Sequence, residues 1–383
     1  MSDAMVEMTM DKGLDNTIIG ESTKSFIDGQ KGILEYVGID IDALARLSTF
    51  EETCFLLWYD RLPTTSELQA FTARIRDCYD LSESMWEALS RIPLNASPMH
   101  MLQTMVSMLA LEDPDCDVQL REAEEAKAIR ILAATPAIIA NFDRLRRGQE
   151  FVRPCADDSM ATSFLRMLNG QAPGEASARA LDVCLILHAD HGINASTFAT
   201  MVVLGTESDM YSAVTAAIGT LRGPLHGGAN ERVMRMLQEI GSIDATEQFL
   251  RDRLARKEKI PGFGHRVYKA IDPRATHLKT FAESIAEETG NTELFEMSRA
   301  IEELMREEVG SRGIHPNVDF YSASTYYSLG LEVDLFTPIF AMSRISGWAA
   351  HALERHADNR LIRPRCQYTG PHGASYVPLE SRG

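Results

Sequence analysis

Apolar residues in this chain recur at the three- and four-residue spacing of α-helices, and this periodicity limits the possible folds more than any other feature. Residues 64–67, TTSE, form a capping-box pattern that apolar residues follow at helical spacing. A second helix is predicted over 122–147, with acidic residues first, basic residues last and Gly148 just beyond. Pro136 inside that segment predicts a break or a kink. A third helix is predicted over 295–309.

Strand signals are few and short. Residues 34–37, LEYV, and 151–152, FV, are the candidates. Strands and helices do not alternate as they do in parallel α/β proteins, and no repeat of fixed period is present. The sequence therefore predicts an all-α protein with a small β element near its N-terminus.

The charge balance limits the partners. Lys and Arg total 38 and Asp and Glu total 55, which gives a formal charge of −17 over 383 residues. A surface this acidic repels phosphate backbones, so a general nucleic-acid-binding function is not expected. The imbalance still allows a local basic pocket for an anionic metabolite.

Two further patterns indicate a cytoplasmic protein. Residues 1–15 lack the basic and apolar regions of a signal peptide, and no stretch approaches the roughly 18 apolar residues of a membrane helix. The six cysteines include no C-x-x-C pair and are irregularly spaced. We therefore expect reduced, mostly buried thiols and no membrane partner.

Glycine and proline cluster at 219–228, 261–264 and 310–316, and histidines lie in or near the same places. The stretch between the first and third cluster forms a candidate separate unit of about 100 residues. The function is to be sought around these clusters.

His188, Asp190 and His191 lie in LHADHGIN, after an apolar run that indicates a buried helix end. On a helix the two histidines would share one face. The segment allows core or capping histidines, a metal site, or a polar edge that faces a ligand. A metal is the weakest of these, because H-E-x-x-H is absent and no third ligand is near.

His226 lies in GPLHGGAN, residues 223–230. Glycines have an entropic cost, so this group indicates a tight turn, a hinge or the close approach of a ligand. A helix N-terminus disfavours the cationic form of a histidine. A neutral His226 could then donate a hydrogen bond to a developing oxyanion. The alternative is an ordinary loop histidine.

Residues 261–269, PGFGHRVYK, and DPRA from 272 combine open backbone with positive charge. Gly262 and Gly264 leave amides accessible, and Asp272 followed by proline predicts a helix start. The cations are Arg266, Lys269 and Arg274. They predict either a solvated basic face or a pocket for carboxylates or phosphates, which guanidinium groups bind in bidentate fashion.

Two later segments add an acid and several arginines. Asp319 lies among apolar residues in HPNVDFY, and desolvation there would raise its pKa and basicity. Taken alone, such an aspartate is more often a turn or cap residue. Arg344 precedes an apolar helix face, and Arg360, Arg363 and Arg365 follow it. These arginines either pair with internal acids or bind a carboxylate ligand.

In order and spacing, these segments resemble the citrate synthase family over about the last 200 residues. The matching pieces are LHADHGIN, GPLHGGAN, PGFGHRVYK, DPRA, NVD, Arg344 and Arg363-Pro364, and ESTKSFIDG at 21–29 is similar to the family's start. The resemblance implies a mainly helical homodimer whose large domain comprises 1–221 and 325–383 and whose small domain comprises 222–324. It implies the shorter dimeric type rather than the hexamer with an allosteric NADH site. Ligand-driven domain closure is also implied, with 219–228 as a candidate hinge.

The reaction that the resemblance implies is the condensation of oxaloacetate with acetyl-CoA to citrate and CoA, the tricarboxylic acid cycle step. Asp319 would be the base that removes a methyl proton, and neutral His226 would donate to the thioester oxygen. His265 would protonate the ketone oxygen of oxaloacetate. Acetyl-CoA is a co-substrate, and no tightly bound cofactor or metal is expected.

The resemblance also implies two sets of binding residues. The oxaloacetate set is His191, Arg274, Arg344 and Arg363, the last reaching the active site of the partner subunit. The CoA set is Gly262, Phe263, Gly264, Arg266 and Lys269.

Three alternatives stay open. A 2-methylcitrate synthase would use propionyl-CoA with the same residues, and one methylene changes binding by only about 1–3 kcal/mol, so dual activity is possible. A metal-dependent hydrolase would use His188, Asp190 and His191. A non-catalytic CoA-binding or scaffold protein would bind CoA without turnover.

Overall fold

The structure, a computed structural model, describes residues 10–14, 17–265 and 267–382. The predicted CoA contact Arg266 and most of the segment considered for a signal peptide lie outside the described residues. Helices account for most of the described chain. They are α1 (Ile41–Leu47), α2 (Phe50–Tyr59), α3 (Thr65–Arg76), α4 (Glu83–Ser90), α5 (Pro98–Leu109), α6 (Arg121–Arg146), α7 (Met160–Asn169), α8 (Glu175–His188), α9 (Ala195–Leu204), α10 (Met210–Leu221), α11 (Ala229–Ile240), α12 (Ile243–Ala255), α13 (Pro273–Thr289), α14 (Thr292–Val309), α15 (Val318–Ser328) and α16 (Phe336–Ala357).

A small antiparallel sheet lies near the N-terminus, with strand order β1 (Ser25–Asp28), β2 (Ile33–Tyr36) and β3 (Ile39–Asp40). Its register pairs Ser25 with Tyr36 and Glu35 with Asp40. The predicted all-α class with a small N-terminal β element is confirmed.

The predicted strand at Phe151-Val152 is wrong. The backbone N–H of Val152 donates to Oδ1 of Asn141 over 2.8 Å, and Nδ2 of Asn141 donates to Val152 O over 3.1 Å. A side chain of α6 thus takes the place of a strand partner, and Phe151 packs its ring against Trp86.

The local helix signals are confirmed where the structure describes them. Thr64 Oγ1 accepts from the N–H of Glu67, whose carboxylate accepts from Thr64 N, which completes the capping box. Helix α6 continues through Pro136, so of the two predicted alternatives the break is wrong, and the kink stays a prediction. Burial of nearly all its residues from 124 to 143 keeps this helix intact across the proline.

Two groups of helices set the framework of the site. Helix α16 is buried over most of its length and packs against α2, α6, α8, α9 and α10. Separately, α13 packs on α14 and α15, while α11 packs on α15 and α12 on α14. The second group falls within the segment predicted as the small domain, and its limits at 222 and 324 stay a prediction. The limit at 324 lies inside α15.

All six cysteines are free, but only Cys54 and Cys184 are buried, so the expectation of mostly buried thiols is wrong. The other four lie in turns and loops, where they are partly or fully exposed. No helix in the described part of the chain is long and apolar enough to cross a membrane.

Candidate active site

The loop between α8 and α9 carries His191. Helix α8 ends at His188, and α9 starts after Asn194, whose side chain accepts from the N–H groups of Ser196 and Thr197. His188 and His191 therefore do not share a helix face, contrary to what their spacing suggested. His188 lies in the core with 0 % exposure.

His191 faces the loop that carries His265. Nε2 of His191 lies 3.2 Å from the hydroxyl of Tyr268, and the two imidazole centroids are 5.4 Å apart. Burial, together with the charges of Arg274 and Arg344, holds the pKa of His191 well below its usual range. The ring is therefore neutral near pH 7.

The backbone fixes the tautomer of His265. Its Nδ1 accepts from the N–H of Val267 over 3.0 Å and from that of Tyr268 over 3.1 Å. Because Nδ1 accepts, the proton of the neutral ring lies on Nε2. Burial and the nearby Arg274 lower the pKa of His265 to about 4. His265 is therefore a neutral donor through Nε2.

His226 has the opposite tautomer. Its Nε2 lies 3.3 Å from the backbone N of Ser196 and 2.9 Å from the Ser196 hydroxyl. A backbone N–H only donates, so Nε2 accepts and the ring proton lies on Nδ1. Burial and Arg344 lower the pKa of His226 to about 4. The amide that fixes the ring belongs to the first turn of α9, not to α11, the helix that follows His226 in sequence.

Asp319 lies in the first turn of α15, where Asn317 is the N-cap. Its side chain is partly exposed, and its carboxylate has no hydrogen bond to any other residue that the structure describes. Desolvation by the surrounding protein raises the pKa of Asp319 to about 6, and the positive charge of Arg274 opposes that shift in part. A carboxylate with a raised pKa and no hydrogen bond from a described residue is suited to accept a proton.

Backbone contacts join the Gly262–Gly264 loop to the start of α15. Asn317 donates from its backbone N to Gly262 O and from Nδ2 to Gly264 O, both over 2.9 Å. Gly262 has φ +80°, and a Cβ there would lie 2.7 Å from Phe320 and 2.8 Å from Val233. Glycine is therefore required for the loop to approach α15 this closely.

The two buried arginines differ in their partners. Arg274 donates from Nε and a terminal nitrogen to the carboxylate of Asp272, over 2.9 and 2.8 Å. Arg344 donates from Nε to His188 O over 2.7 Å, and no carboxylate among the described residues forms an ion pair with it. Burial lowers the pKa of Arg344 to about 10. Each residue is 2 % exposed.

The remaining predicted residues lie at the margin of this cluster. Phe263 stacks edge-on against Phe320 with centroids 4.7 Å apart. Lys269 is exposed and donates from its backbone N to Gly29 O. Arg363 lies exposed in the extended segment that follows α16, and no hydrogen bond, ion pair or ring contact joins it to a predicted site residue that the structure describes.

The sequence reasoning missed several groups that hold the cluster together. Asp272 was considered only as a helix cap, although it also binds Arg274 and accepts from Val318 N at the start of α15. The only sequence signal was its position two residues before that arginine. Ser196 and Tyr268 gave no signal, because each contacts a histidine that is distant in sequence. Ser196 contacts His226, and Tyr268 contacts His191.

Within the described residues, no group of three or more His, Cys, Asp or Glu side chains is arranged to hold a metal ion. Asp190, one of the candidate ligands, instead accepts from Gly192 N and lies against His351.

Residues 13–365 match the sequence model of a protein family described as "Citrate synthase, C-terminal domain". The chain therefore belongs to the citrate synthase family, and the predicted family and enzyme class are confirmed. It is 48% identical to the citrate synthase of Haloferax volcanii over 377 residues, which cover 97% of this chain and 98% of that protein.

A solved citrate synthase structure from Thermoplasma acidophilum, a ternary complex with carboxymethyl coenzyme A and oxaloacetate, has a TM-score of 0.91 to this chain at 34% identity. The match covers 98% of this chain and 100% of that one. A 2-methylcitrate synthase from Shewanella oneidensis is more distant, at 39% identity over 97% of each chain.

Proposed function

We propose that this chain condenses oxaloacetate with acetyl-CoA and water to give citrate and CoA. The observation that supports this most directly is the combination of one carboxylate of raised pKa with two neutral histidines of opposite tautomer, set around two buried guanidinium groups. Making a carbon nucleophile from a thioester requires a base and a hydrogen-bond donor acting at the same time.

The first step is removal of a proton from the acetyl methyl group. Asp319 takes this proton, while Nδ1–H of His226 donates to the thioester oxygen as negative charge develops on it. A neutral donor suits this step, because its low pKa keeps the ring uncharged near pH 7. Ser196 holds the ring in the tautomer that leaves Nδ1–H available.

The second step forms the carbon–carbon bond. The enolate carbon attacks the ketone carbon of oxaloacetate, and the ketone oxygen receives a proton from Nε2 of His265. Because two backbone N–H groups occupy Nδ1, Nε2 is the nitrogen that carries this proton. The product is citryl-CoA, and attack of water on its thioester carbon releases citrate and CoA.

Oxaloacetate carries two carboxylates, and buried cations suit it. Arg344 lacks a carboxylate partner within the described chain and is therefore the group whose charge a substrate carboxylate would balance. Arg274 stays paired with Asp272 and offers its remaining donors. The ring of His191 lies 5.4 Å from that of His265, and the charge of Arg274 contributes to its lowered pKa, so His191 would contact the same ligand.

The loop of Gly262, Phe263 and Gly264 is proposed to bind CoA through its backbone, with exposed Lys269 near the phosphates. Gly264 is engaged on both sides, since its N–H donates to His315 O and its O accepts from Asn317. The expectation that the Gly264 amide is accessible is therefore wrong. These hydrogen bonds hold the loop beside Asp319, where the thioester must lie. Arg266 belongs to the same predicted set.

A homodimer in which Arg363 reaches the partner's active site is also proposed. Residues 358–378 form neither helix nor strand, and the tail exposes large apolar side chains. These are Leu361, Tyr368, Tyr376 and Leu379. A second copy of the chain would cover this surface and would place Arg363 against a ligand. A cytoplasmic location stays a prediction.

A thiol-release assay with oxaloacetate tests the proposed reaction. We expect release of CoA from acetyl-CoA that depends on oxaloacetate and continues in the presence of a chelator. A higher kcat/KM with propionyl-CoA would instead support the 2-methylcitrate reaction. Activity that a chelator abolishes, or binding of CoA without turnover, would contradict the proposal.

A further inference from the structure

One face of α16 lies against the loop that carries His191. Arg344, Trp348 and His351 follow one another at helical spacing on this face. Arg344 donates from Nε to His188 O over 2.7 Å, and Gly347 donates from its backbone N to Ala189 O over 3.1 Å. Trp348 donates from Nε1 to Ser196 Oγ over 3.1 Å, and Nε2 of His351 lies 3.2 Å from Asp190 Oδ1. A single helix therefore contacts the loop and the two helix ends that flank it at four points.

The contact between His351 and Asp190 is an ion pair in the core. Nε2 of His351 lies 3.2 and 3.3 Å from the two carboxylate oxygens, and the side chains are 2 % and 0 % exposed. On the other side of the ring, Nδ1 faces Glu354 Oε2 at 3.7 Å and Ser22 Oγ at 3.4 Å. Carboxylates on both sides favour an imidazolium, which donates from both nitrogens.

Asp190 in turn organises the loop around His191. Its Oδ2 accepts from the N–H of Gly192 over 3.2 Å and from the hydroxyl of Ser25. At Gly347 a Cβ would lie 2.4 Å from Ala189 O and 2.6 Å from Asp190 Oδ1, so glycine lets the helix approach this closely. The residues on either side of His191 are thus held in place.

A buried ion pair is a poor source of stability, because desolvating two charges offsets most of their attraction. Its fixed geometry is what distinguishes it from an apolar contact. We propose that His351 is a positioning residue for the oxaloacetate site, holding Asp190 so that the loop presents His191 to the keto-dicarboxylate. This inference rests on the proposed function, since it assigns His191 to oxaloacetate.

The test is His351→Gln in the full-length chain, with oxaloacetate binding measured by calorimetry and both KM values measured by thiol release. We expect oxaloacetate to bind about tenfold more weakly, as for loss of a charged hydrogen bond. The KM for acetyl-CoA at saturating oxaloacetate should change less than about twofold. A purely structural role would not separate the two substrates.

The matched control is His277→Gln. His277 also pairs with an aspartate, Asp42, over 3.0 Å, but it lies on α13 and outside the proposed site. We expect its oxaloacetate affinity to be unchanged. Equal loss in both variants, or an unchanged affinity in His351→Gln, would overturn the positioning role while leaving the proposed reaction intact. Failure of the unmodified chain to bind oxaloacetate would instead contradict the proposed function.

If His351→Gln does not fold, two other measurements of oxaloacetate affinity test the positioning role. They are the affinity of Asp190→Asn and the pH dependence of the affinity of the unmodified protein. Burial lowers the pKa of His351, but Asp190 and Glu354 outweigh that effect and raise it to about 9. Arg344 is another charged group on the same face of this helix. Oxaloacetate affinity should then decrease as the pH rises through about 9, and Asp190→Asn should weaken binding at pH 7. Neither change occurring would overturn the inference.

Discussion

The two sides of the candidate site are built differently. One side, the helix wall, consists of α16 and residues 188–196, and its charged groups Asp190, Arg344 and His351 are almost fully buried. The other, the loop wall, consists of residues 261–274 and 315–319. It contains two glycines with positive φ and a partly exposed Asp319. Side-chain contacts hold the helix wall, whereas hydrogen bonds to the backbone oxygens of Gly262, Gly264 and His315 hold the loop wall.

This difference assigns different tasks to the two walls. The helix wall supplies the buried Arg344, and Arg274, at the end of the loop wall, supplies a second buried cation. Buried cations held in place by their contacts suit the binding of a small dianion, because such groups need no rearrangement when the charge arrives. The loop wall, with a partly exposed Asp319 and an exposed Lys269, suits a long ligand that lies along the surface. Variants that change one wall at a time test this division of tasks.

The largest effect is expected from Asp319→Asn on the loop wall. The amide keeps the shape but cannot take a proton, so kcat should fall by about 10²–10⁴-fold in the thiol-release assay. Oxaloacetate binding, measured by calorimetry, should stay nearly unchanged, because the helix wall is intact. A variant with near-normal turnover would show that Asp319 is not the base.

The next prediction compares Arg274→Leu with Arg344→Leu. Both variants should weaken oxaloacetate binding, on the order of 100-fold in calorimetry. Only Arg274→Leu leaves a buried carboxylate, Asp272, without its counterion, which costs about 3–5 kcal/mol of stability.

Thermal unfolding separates the two variants. The melting temperature should fall much further for Arg274→Leu than for Arg344→Leu, since Arg344 has no carboxylate partner within the described chain. Equal losses of stability would contradict the distinction between the paired and the unpaired arginine.

A smaller effect is expected from pH. Because burial raises the pKa of Asp319 to about 6, the base is protonated below that value, and kcat should decrease about tenfold per unit as the pH falls further. His226 and His265 stay neutral over this range, since the pKa of each is about 4. A pH–rate profile measures the midpoint, and a midpoint near 4 would contradict a desolvated base.

The smallest effect is expected from Ser196→Ala. His226 keeps the backbone N–H of residue 196 but loses the hydroxyl, and Trp348 Nε1 loses its acceptor. We expect kcat to fall about 3–10-fold with little change in oxaloacetate binding. Thr200→Val, which removes a buried hydroxyl on the same helix, is the matched control. An equal loss in the control would assign the effect to packing.

Local signals were sufficient for much of the fold. The capping box at Thr64 and the helix start at Asp272 were predicted because each depends on residues within one turn. The strand at Phe151-Val152 was wrong because a side chain of α6 takes the place of the partner strand. The break at Pro136 was wrong because burial on all sides of α6 outweighs the lost hydrogen bond.

The candidate site divides in the same way. His226, His265 and Asp319 were identified in sequence by the motifs around them. Their tautomers and pKa shifts were not predictable from those motifs, because they depend on Ser196, Arg344 and burial. Asp190 was considered only as a metal ligand, since its partner His351 is 161 residues away in sequence.

Sequence alone sufficed to predict the helical class, several helix caps, the family and the chemical types of the site residues. These follow from periodicity and from motifs whose residues are neighbours in the chain. The folded chain was needed to establish which arginine has a counterion, which nitrogen of each histidine carries the proton, and which helix holds the His191 loop. Those properties arise from desolvation and from hydrogen bonds between residues far apart in sequence, and they exist only once the chain is packed.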